Sequence, residues 1–461
     1  MPPMEREGLG RLRRTAGRHL SAVRGIAVTR VLTGALVGLV ILLGSGLPVA
    51  AADAPNSLDG LSATYDVTAA IKWKKGRLNV TSTAVVTNNS GAPVNALTFN
   101  AAPAKIGRMI VNSIIVGDQS VLGAKNDQNI IVTLPTTLED GQQVSVTIAY
   151  SAWFGGTTGN KRYLFAKVEK IASAYRWIPW LSRAYPFNTP TYGEPFVTKS
   201  TDEVRVRITP DQPNIKIATS GQLESVEGNT QTFVAHNVRD FNFAASPRYV
   251  QTTTQWGDVT INWYTIELPL AKTQKWVMAA LNRFSSKVGP YPYRTYAVAE
   301  VPTGPSMESP AMIWITQSAI SRGTLKYLSV HETAHQWFYG IVGNDQASEP
   351  FTDEAMAEFM TRDFIGHRAS HCAEDVLDNR LYDYSASCYY ETIYVQGDLY
   401  LEMYRQKVGN DNFWAGVRAY FDEYKFKLGS IHKLFDALDA ASNGAGGGHQ
   451  DRFPSVFGGG P

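Results

Sequence analysis

The chain has 461 residues, a formal net charge of +2 and a hydrophobic fraction of 44%. That many apolar residues can bury a large core, which excludes a wholly disordered chain, and the aperiodic glycines and prolines exclude a collagen-like one. The charge is unevenly distributed along the chain. Residues 1–52 contain seven arginines and two glutamates, a net charge of +5, so the remaining residues have a net charge of −3. The basic excess belongs to a leader, so no nucleic-acid partner is expected.

The first 52 residues are predicted to direct export. No charged residue occurs between Arg30 and Asp53, and most of this stretch is apolar. Arginines before such a stretch stay in the cytoplasm, and the small residues at 49–52 are typical of a signal-peptidase site. The alternative is an uncleaved N-terminal anchor, which would be the protein's sole contact with a membrane. Both hypotheses place residues 53–461 outside the cytoplasm, either secreted or at the cell surface.

Residues 53–250 are predicted to form an all-β domain. Apolar and polar residues alternate over 79–87, 143–150 and 204–208, and turn residues such as Asn89 separate these runs. Strands of this kind bury one face and expose the other.

Residues 251–442 are predicted to form a mixed domain, which makes the chain α+β as a whole. A helix is expected at 271–288, short strands at 295–301 and 311–316, and mainly helices thereafter. The tail at 443–461 is rich in glycine and is expected to be disordered.

The strongest chemical signal is the run HETAH that begins at His331. It lies within 325–342, a stretch of helical spacing, so His331 and His335 are neighbours on one helix face and can reach one ion. Zinc suits two imidazoles plus a carboxylate, with a fourth position open for water. Glu332 could take a proton from that water. The alternative is two histidines packed on a half-buried helix.

A carboxylate that could complete the ligand set follows at a defined distance. Glu354 follows His335 after eighteen intervening residues and lies at the start of another helical pattern. Together with His331 and His335 it would give a His₂Glu site. Taken alone, Glu354 could equally be an ordinary exposed acid on a helix.

The stretch 331–359 resembles the gluzincins of the aminopeptidase N-like family, whose pattern is H-E-x-x-H-x₁₈-E, and it includes their H-Q-W-F continuation. The resemblance covers most of residues 57–440. It implies an N-terminal β-saddle domain followed by a thermolysin-like catalytic domain, with one Zn²⁺ ion. Longer family members continue into a helical domain over the active site. This chain is expected to be a short form without it, so that the site is more open or is covered by a partner.

The resemblance assigns two further roles. The family's G-x-M-E-N segment has a Glu that binds the substrate's free α-amino group, and here Glu308 matches it although Ser309 replaces the Asn. The family's oxyanion-stabilising Tyr precedes a Gly by three residues, which fits Tyr394, with Tyr390 as second candidate. The alternatives are a loop acid without a ligand and tyrosines that serve only for packing.

The two cysteines both lie after the leader. An even pair in an oxidising compartment favours a disulfide between Cys372 and Cys388, the alternative being two buried thiols. His367 and His371 precede Cys372 and could suggest a second metal cluster, which we do not predict because the stretch is polar.

The first hypothesis is therefore an exported zinc aminopeptidase that acts on peptides with a free N-terminus. A zinc endopeptidase of the same fold is the nearest alternative, and cleavage of N-acetylated peptides would favour it. A surface binding protein with a vestigial site and a hydrolase with a non-peptide substrate are further alternatives.

Overall fold

A computed structural model describes residues 58, 60–159, 161–183, 197–385 and 388–458. The predicted leader at 1–52 lies outside these residues. Within the described part of the chain, no helix combines the length and the apolar character that a membrane span requires.

Strands dominate the described residues before position 250, as predicted. They are β1 (Leu61–Lys72), β2 (Arg77–Asn88), β3 (Val94–Asn100), β4 (Ile110–Val116), β5 (Gln119–Val121), β6 (Gly123–Asn126), β7 (Asn129–Leu138), β8 (Gln143–Trp153), β9 (Phe165–Val168), β10 (Ile171–Ala174), β11 (Trp180–Leu181), β12 (Val204–Pro210), β13 (Lys216–Thr219), β14 (Gln222–Glu227), β15 (Thr230–Ala235) and β16 (Phe243–Ser246). The helical pieces there are α1 (Ala102–Ile106) and a 3₁₀ turn (Arg162–Leu164). The three strands predicted from alternation lie within β2, β8 and β12.

These strands form three sheets. The largest has eight strands in the order β14-β15-β12-β1-β2-β8-β4-β5, and the other two have the orders β13-β16-β10-β9 and β11-β3-β7-β6. In the large sheet β1 and β12 are parallel, whereas β1 and β2 are antiparallel over their whole length. Every second residue of β2 is buried, including Leu78 and Val80, because alternate side chains of a strand point to opposite faces.

The second half of the described chain combines one sheet with helices. Its elements are β17 (Val250–Trp256), β18 (Val259–Thr265), α2 (Leu270–Lys287), β19 (Thr295–Val301), β20 (Met307–Ser309), β21 (Met312–Thr316), α3 (Ser318–Ser321), α4 (Leu325–Ala334), α5 (Met356–Ile365), α6 (Gly397–Val408), α7 (Asn410–Tyr424), α8 (Ile431–Ala441) and α9 (Pro454–Phe457). The sheet has the order β17-β18-β19-β21-β20, which places β20 at an edge. The predicted helix at 271–288 and the strands at 295–301 and 311–316 are confirmed.

The helix predicted over 325–342 is wrong in its last two turns, because α4 ends at Ala334. Beyond it the amides of Gly340, Ile341 and Val342 bond to carbonyls five residues earlier, at 2.8–3.0 Å. Tyr339 has a φ of +138°, which an α-helix cannot contain. The apolar side chains stay buried throughout, so their spacing continues although the helix does not.

The expectation of a disordered tail is wrong for residues 449–457. His449 and Phe453 are buried, and the ring of Phe453 lies 4.9 Å from that of Phe351 and 5.0 Å from that of Phe435. The hydroxyl of Tyr400 is 2.7 Å from Nδ1 of His449. The high glycine content of this segment predicted disorder, but the segment also contains His449 and Phe453, whose aromatic side chains are buried in the core.

Truncating Phe453 should therefore destabilise the second half of the described chain. Phe453→Ala is expected to lower the free energy of unfolding by about 3–5 kcal/mol, because its fully buried ring leaves a cavity. Urea unfolding followed by tryptophan fluorescence measures this. Phe457→Ala is the control and should cost less, since that ring is only partly buried. A loss below about 1 kcal/mol for Phe453→Ala would show that the tail does not belong to the core.

Candidate metal centre

Three predicted ligands meet in the structure. His331 lies in the last turn of α4, His335 follows its end, and Glu354 lies in a π-helical stretch, Phe351–Ala355, that leads into α5. The Nε2 atoms of His331 and His335 are 3.2 Å apart. Oε2 of Glu354 lies 3.5 Å from Nε2 of His331 and 3.3 Å from Nε2 of His335. All three side chains are largely buried.

These distances fit a metal ion. Ligands at about 2.0–2.1 Å from a tetrahedral ion are separated from one another by about 3.3 Å. Oε2 of Glu354 is buried and has no well-aligned hydrogen-bond donor among the described residues. A cation shared with the two imidazoles would compensate that burial.

Without a metal, the cluster holds protons. Burial lowers the pKa of His331, but its contacts with Glu354 and Glu358 outweigh burial and raise it to about 9. Burial likewise opposes charging of His335, but Asp353 and Glu354 raise its pKa well above the ordinary value. Burial raises the pKa of Glu354, and the facing imidazoles reverse this and lower it. The contacts with carboxylates thus favour the charged form of the imidazoles and of Glu354 in the metal-free protein.

Zinc binding at pH 7.5 should consequently release protons, because a nitrogen that binds the metal cannot keep its proton. Zinc affinity should rise with pH until the pH passes the pKa values of both histidines, of which that of His331 is about 9. Calorimetric titration in buffers of different ionisation enthalpy counts the protons. The same titration at pH 10 is the control and should release fewer. Proton-free binding at pH 7.5 would contradict the assignment of the histidines as ligands.

Glu358 lies beside the first predicted ligand, a position that the sequence analysis missed. Its Oε2 lies 3.2 Å from Nδ1 of His331 and accepts a hydrogen bond from the hydroxyl of Tyr327 at 2.7 Å. Arg362 Nε donates to its other oxygen at 2.7 Å. Such contacts fix the tautomer and the ring orientation of a ligand histidine. The available signal was spacing, since Glu358 follows Glu354 by one helical turn.

Asp353 supports the second ligand. Its Oδ1 lies 2.9 Å from Nδ1 of His335, and Gln346 Nε2 donates to its Oδ2 at 2.5 Å. Nδ1 of His335 also lies 3.1 Å from the carbonyl oxygen of Phe338, which is its hydrogen-bond acceptor. Both Nδ1 atoms thus have acceptors close by, which leaves the Nε2 atoms of His331 and His335 for a metal. Adjacency to Glu354 was the only hint of this role in the sequence.

The structure separates the two candidate tyrosines. Tyr394 lies in a second π-helical stretch, Tyr390–Gln396, and its ring is nearly parallel to that of His331 at 5.6 Å. Its hydroxyl contacts Glu354, and burial raises its pKa well above 10, so it stays protonated and can donate a hydrogen bond. The Tyr390 hydroxyl instead lies 3.2 Å from that of Tyr327. Tyr394 is therefore the candidate tyrosine at the metal ligands.

Gly397 allows this arrangement. A Cβ atom at this position would lie 2.5 Å from Cβ of Ala355, the residue after Glu354. The glycine in the Y-x-x-G pattern thus lets the second π-helical stretch approach the first, which brings Tyr394 to Glu354.

The two remaining predicted residues flank the ligands. Glu332 is buried on α4, directly after His331. Glu308 is buried on β20, which packs against α4, and it interacts electrostatically with Tyr339. Neither role is tested by the geometry, and both stay predictions.

The predicted disulfide between Cys372 and Cys388 is present, with Cα atoms 5.6 Å apart. These sulfurs lie near Glu374, but as a disulfide they cannot act as thiolate ligands. His367 pairs with Asp398 at 2.8 Å and joins no metal-type cluster among the described residues.

No protein-family model matches the chain, and no curated protein matches it in sequence. Solved structures do match. The M1 zinc metallopeptidase from Deinococcus radiodurans is 18% identical with a TM-score of 0.64, over 84% of this chain and 93% of that chain. A mutant of it bound to a Tyr-Ser-Ala substrate is 17% identical with a TM-score of 0.63, over 86% and 94%.

A further match is a two-domain M1 zinc metallopeptidase mutant bound to L-arginine, at 17% identity and a TM-score of 0.63, over 84% of this chain and 93% of that one. The likeness establishes that this chain has the fold of the M1 zinc metallopeptidases. That is the α+β fold, with β structure first, which the resemblance in the sequence implied.

Proposed function

We propose that this protein is a zinc-dependent peptidase. The observation that carries the proposal is the placement of the donor atoms of His331, His335 and Glu354 at three corners of a tetrahedron, with separations of 3.2–3.5 Å. A catalytic zinc site keeps its fourth position for water or substrate, and that position is the one these residues leave. The M1 fold and the peptide bound to one structural neighbour support the same reaction class.

When bound, zinc would lower the pKa of a water molecule and polarise the scissile carbonyl. Glu332 takes the proton of that water and passes it to the leaving amine. Tyr394 donates a hydrogen bond from its neutral hydroxyl to the oxyanion that develops. Glu358 and Asp353 keep the imidazole rings oriented throughout.

We propose further that the enzyme is an aminopeptidase. The support is Glu308, a buried carboxylate on the edge strand that packs against the helix with the metal ligands. A carboxylate there would pair with the substrate's α-ammonium group and place the first peptide bond at the metal. An endopeptidase has no use for such an anchor, because its substrates extend past this point.

A digest of paired peptides tests the proposal. Each peptide is offered to the zinc-loaded protein with a free and with an acetylated N-terminus, and mass spectrometry follows the products, with Glu332→Gln protein as control. Stepwise loss of single residues from free peptides only is the expected result. Internal cuts in both sets would favour the endopeptidase. No cleavage by zinc-loaded protein would contradict a peptidase and favour a binding protein or a non-peptide substrate.

We also propose that the protein is exported. The support is the arginine-rich, then apolar leader and the disulfide between Cys372 and Cys388, a bond typical of oxidising compartments. Mass measurement of the mature N-terminus, in extracellular and membrane fractions, tests this. A start near residue 52 means cleavage, an intact leader in membranes means an anchor, and recovery from the cytoplasm alone would contradict export.

A further inference from the structure

Asp240 lies outside the metal centre, between β15 and β16, yet it contacts residues that border it. Its Oδ1 accepts hydrogen bonds from Ser309 Oγ at 2.8 Å and from Asn242 Nδ2 at 3.0 Å. Its Oδ2 accepts one from the hydroxyl of Tyr339 and lies 3.4 Å from Nε of Arg176. All five residues are buried. A carboxylate from the strand-rich part of the chain before residue 250 thus contacts two segments that follow it in the sequence.

The first of these segments is β20, which carries Glu308. Successive side chains of a strand point to opposite faces, so the hydroxyl of Ser309 holds one face while Glu308 lies on the other. The carbonyl of Ser309 accepts a hydrogen bond from Gln336 Nε2 at 2.9 Å, and Gln336 Oε1 accepts one from the amide of Ala311, also at 2.9 Å. Gln336 directly follows the ligand His335. Strand β20 therefore forms hydrogen bonds to Asp240 through the hydroxyl of Ser309, and to Gln336, just after the end of α4, through the carbonyl of Ser309.

The second segment is the irregular chain after α4. Tyr339 follows His335 by four residues and has a backbone conformation that is costly for a tyrosine. Its hydroxyl accepts a hydrogen bond from Arg176 Nη2 at 2.8 Å, and its carbonyl accepts one from Arg239 Nη1 at 3.2 Å. Strained backbone persists only where its surroundings determine it, and here Asp240 is part of those surroundings.

We propose that Asp240 is a positioning residue for Glu308. Through Ser309 it fixes the distance between the amine-binding carboxylate and the metal ligands, and this distance decides which peptide bond lies at the metal. The inference rests on the proposed aminopeptidase function and deepens it. Its consequence is that a residue that precedes the mixed sheet and contributes no predicted metal ligand controls selectivity for free N-termini.

Ser309→Ala is the first test, because it removes one hydroxyl and leaves every buried charge in place. We expect KM for peptides with a free N-terminus to rise about tenfold, with kcat changed less than about threefold, because anchoring rather than chemistry is impaired. Zinc content should stay at the wild-type value. Ser82→Ala in β2 is the matched control, since that buried hydroxyl has no hydrogen-bond partner among the described residues. A wild-type KM for Ser309→Ala would overturn the proposal.

A double-mutant cycle separates positioning from a general structural effect. In a Glu308→Gln background, Ser309→Ala should add less than about a twofold loss in kcat/KM, because its effect passes through Glu308. A full tenfold further loss would show that Ser309 acts independently, which also overturns the proposal. Asp240→Asn should repeat the Ser309→Ala pattern. If Asp240→Asn does not fold, the Ser309 variants decide.

The outcome also distinguishes this inference from the proposed function. If Glu308→Gln leaves the preference for free over acetylated peptides unchanged, the amine-binding role fails and the inference fails with it. If Glu308→Gln abolishes that preference while Ser309→Ala behaves like wild type, only the role of Asp240 is lost.

Discussion

Replacing Glu332 by glutamine is expected to lower kcat for peptide hydrolysis by about 10³-fold while zinc stays bound. The side chain is buried on α4 directly after a metal ligand, and an amide of the same size cannot accept the proton of the attacking water. The measurement pairs steady-state kinetics with the zinc content of the same preparation by mass spectrometry.

The control for this experiment is Glu423→Gln, an exposed acid of α7 far along the chain from the site. It should retain wild-type kinetics. If Glu332→Gln keeps more than about a tenth of the activity with full zinc content, another group acts as the general base.

The second large expected effect is a loss of zinc affinity. Its size should distinguish a metal ligand, Glu354, from a residue that contacts a ligand, Glu358. Glu354→Gln should weaken zinc binding by more than about 100-fold, because the substitution removes a charged ligand. Glu358→Gln should weaken it by about 10–100-fold, since Glu358 touches the imidazole of His331 rather than the ion.

Competition with a fluorescent zinc chelator at fixed pH measures both constants. The pH must be fixed because protons compete for the same imidazoles, and the His331 pKa near 9 makes that competition strong at neutral pH. The reverse order, with Glu358→Gln the more damaging, would exchange the roles of the two carboxylates.

Short sequence patterns correctly predicted those features of the structure that depend on residues close together in the chain. The ligands His331 and His335 follow from helix geometry, and the strands follow from alternation that the sheets preserve, as in β2. Glu354 was reached through its spacing from His335. In each case residues close in sequence decide the structure.

Features that depend on distant partners were not predicted. The early end of α4 is held by Tyr339, whose partners Arg176 and Asp240 lie about 100 residues or more away in sequence. Phe453 joins the core through Phe351 and Phe435, which the composition of its own segment does not reveal. The position of Glu358, one helical turn after Glu354, was visible in the sequence. Its contact with His331 became evident only from the position of the imidazole ring in the structure.

The two π-helical stretches have a consequence for how this site tolerates change in length. An α-helix turns about 100° per residue, and a wider turn takes up extra backbone before the regular helix resumes. Deleting one residue from Phe351–Ala355 would let that stretch relax to an α-helix and swing Glu354 away from the histidines. The same holds for Tyr394 in Tyr390–Gln396. At these two places the number of residues is a stricter requirement than the identity of most of them, so insertions or deletions should inactivate where many substitutions would be tolerated.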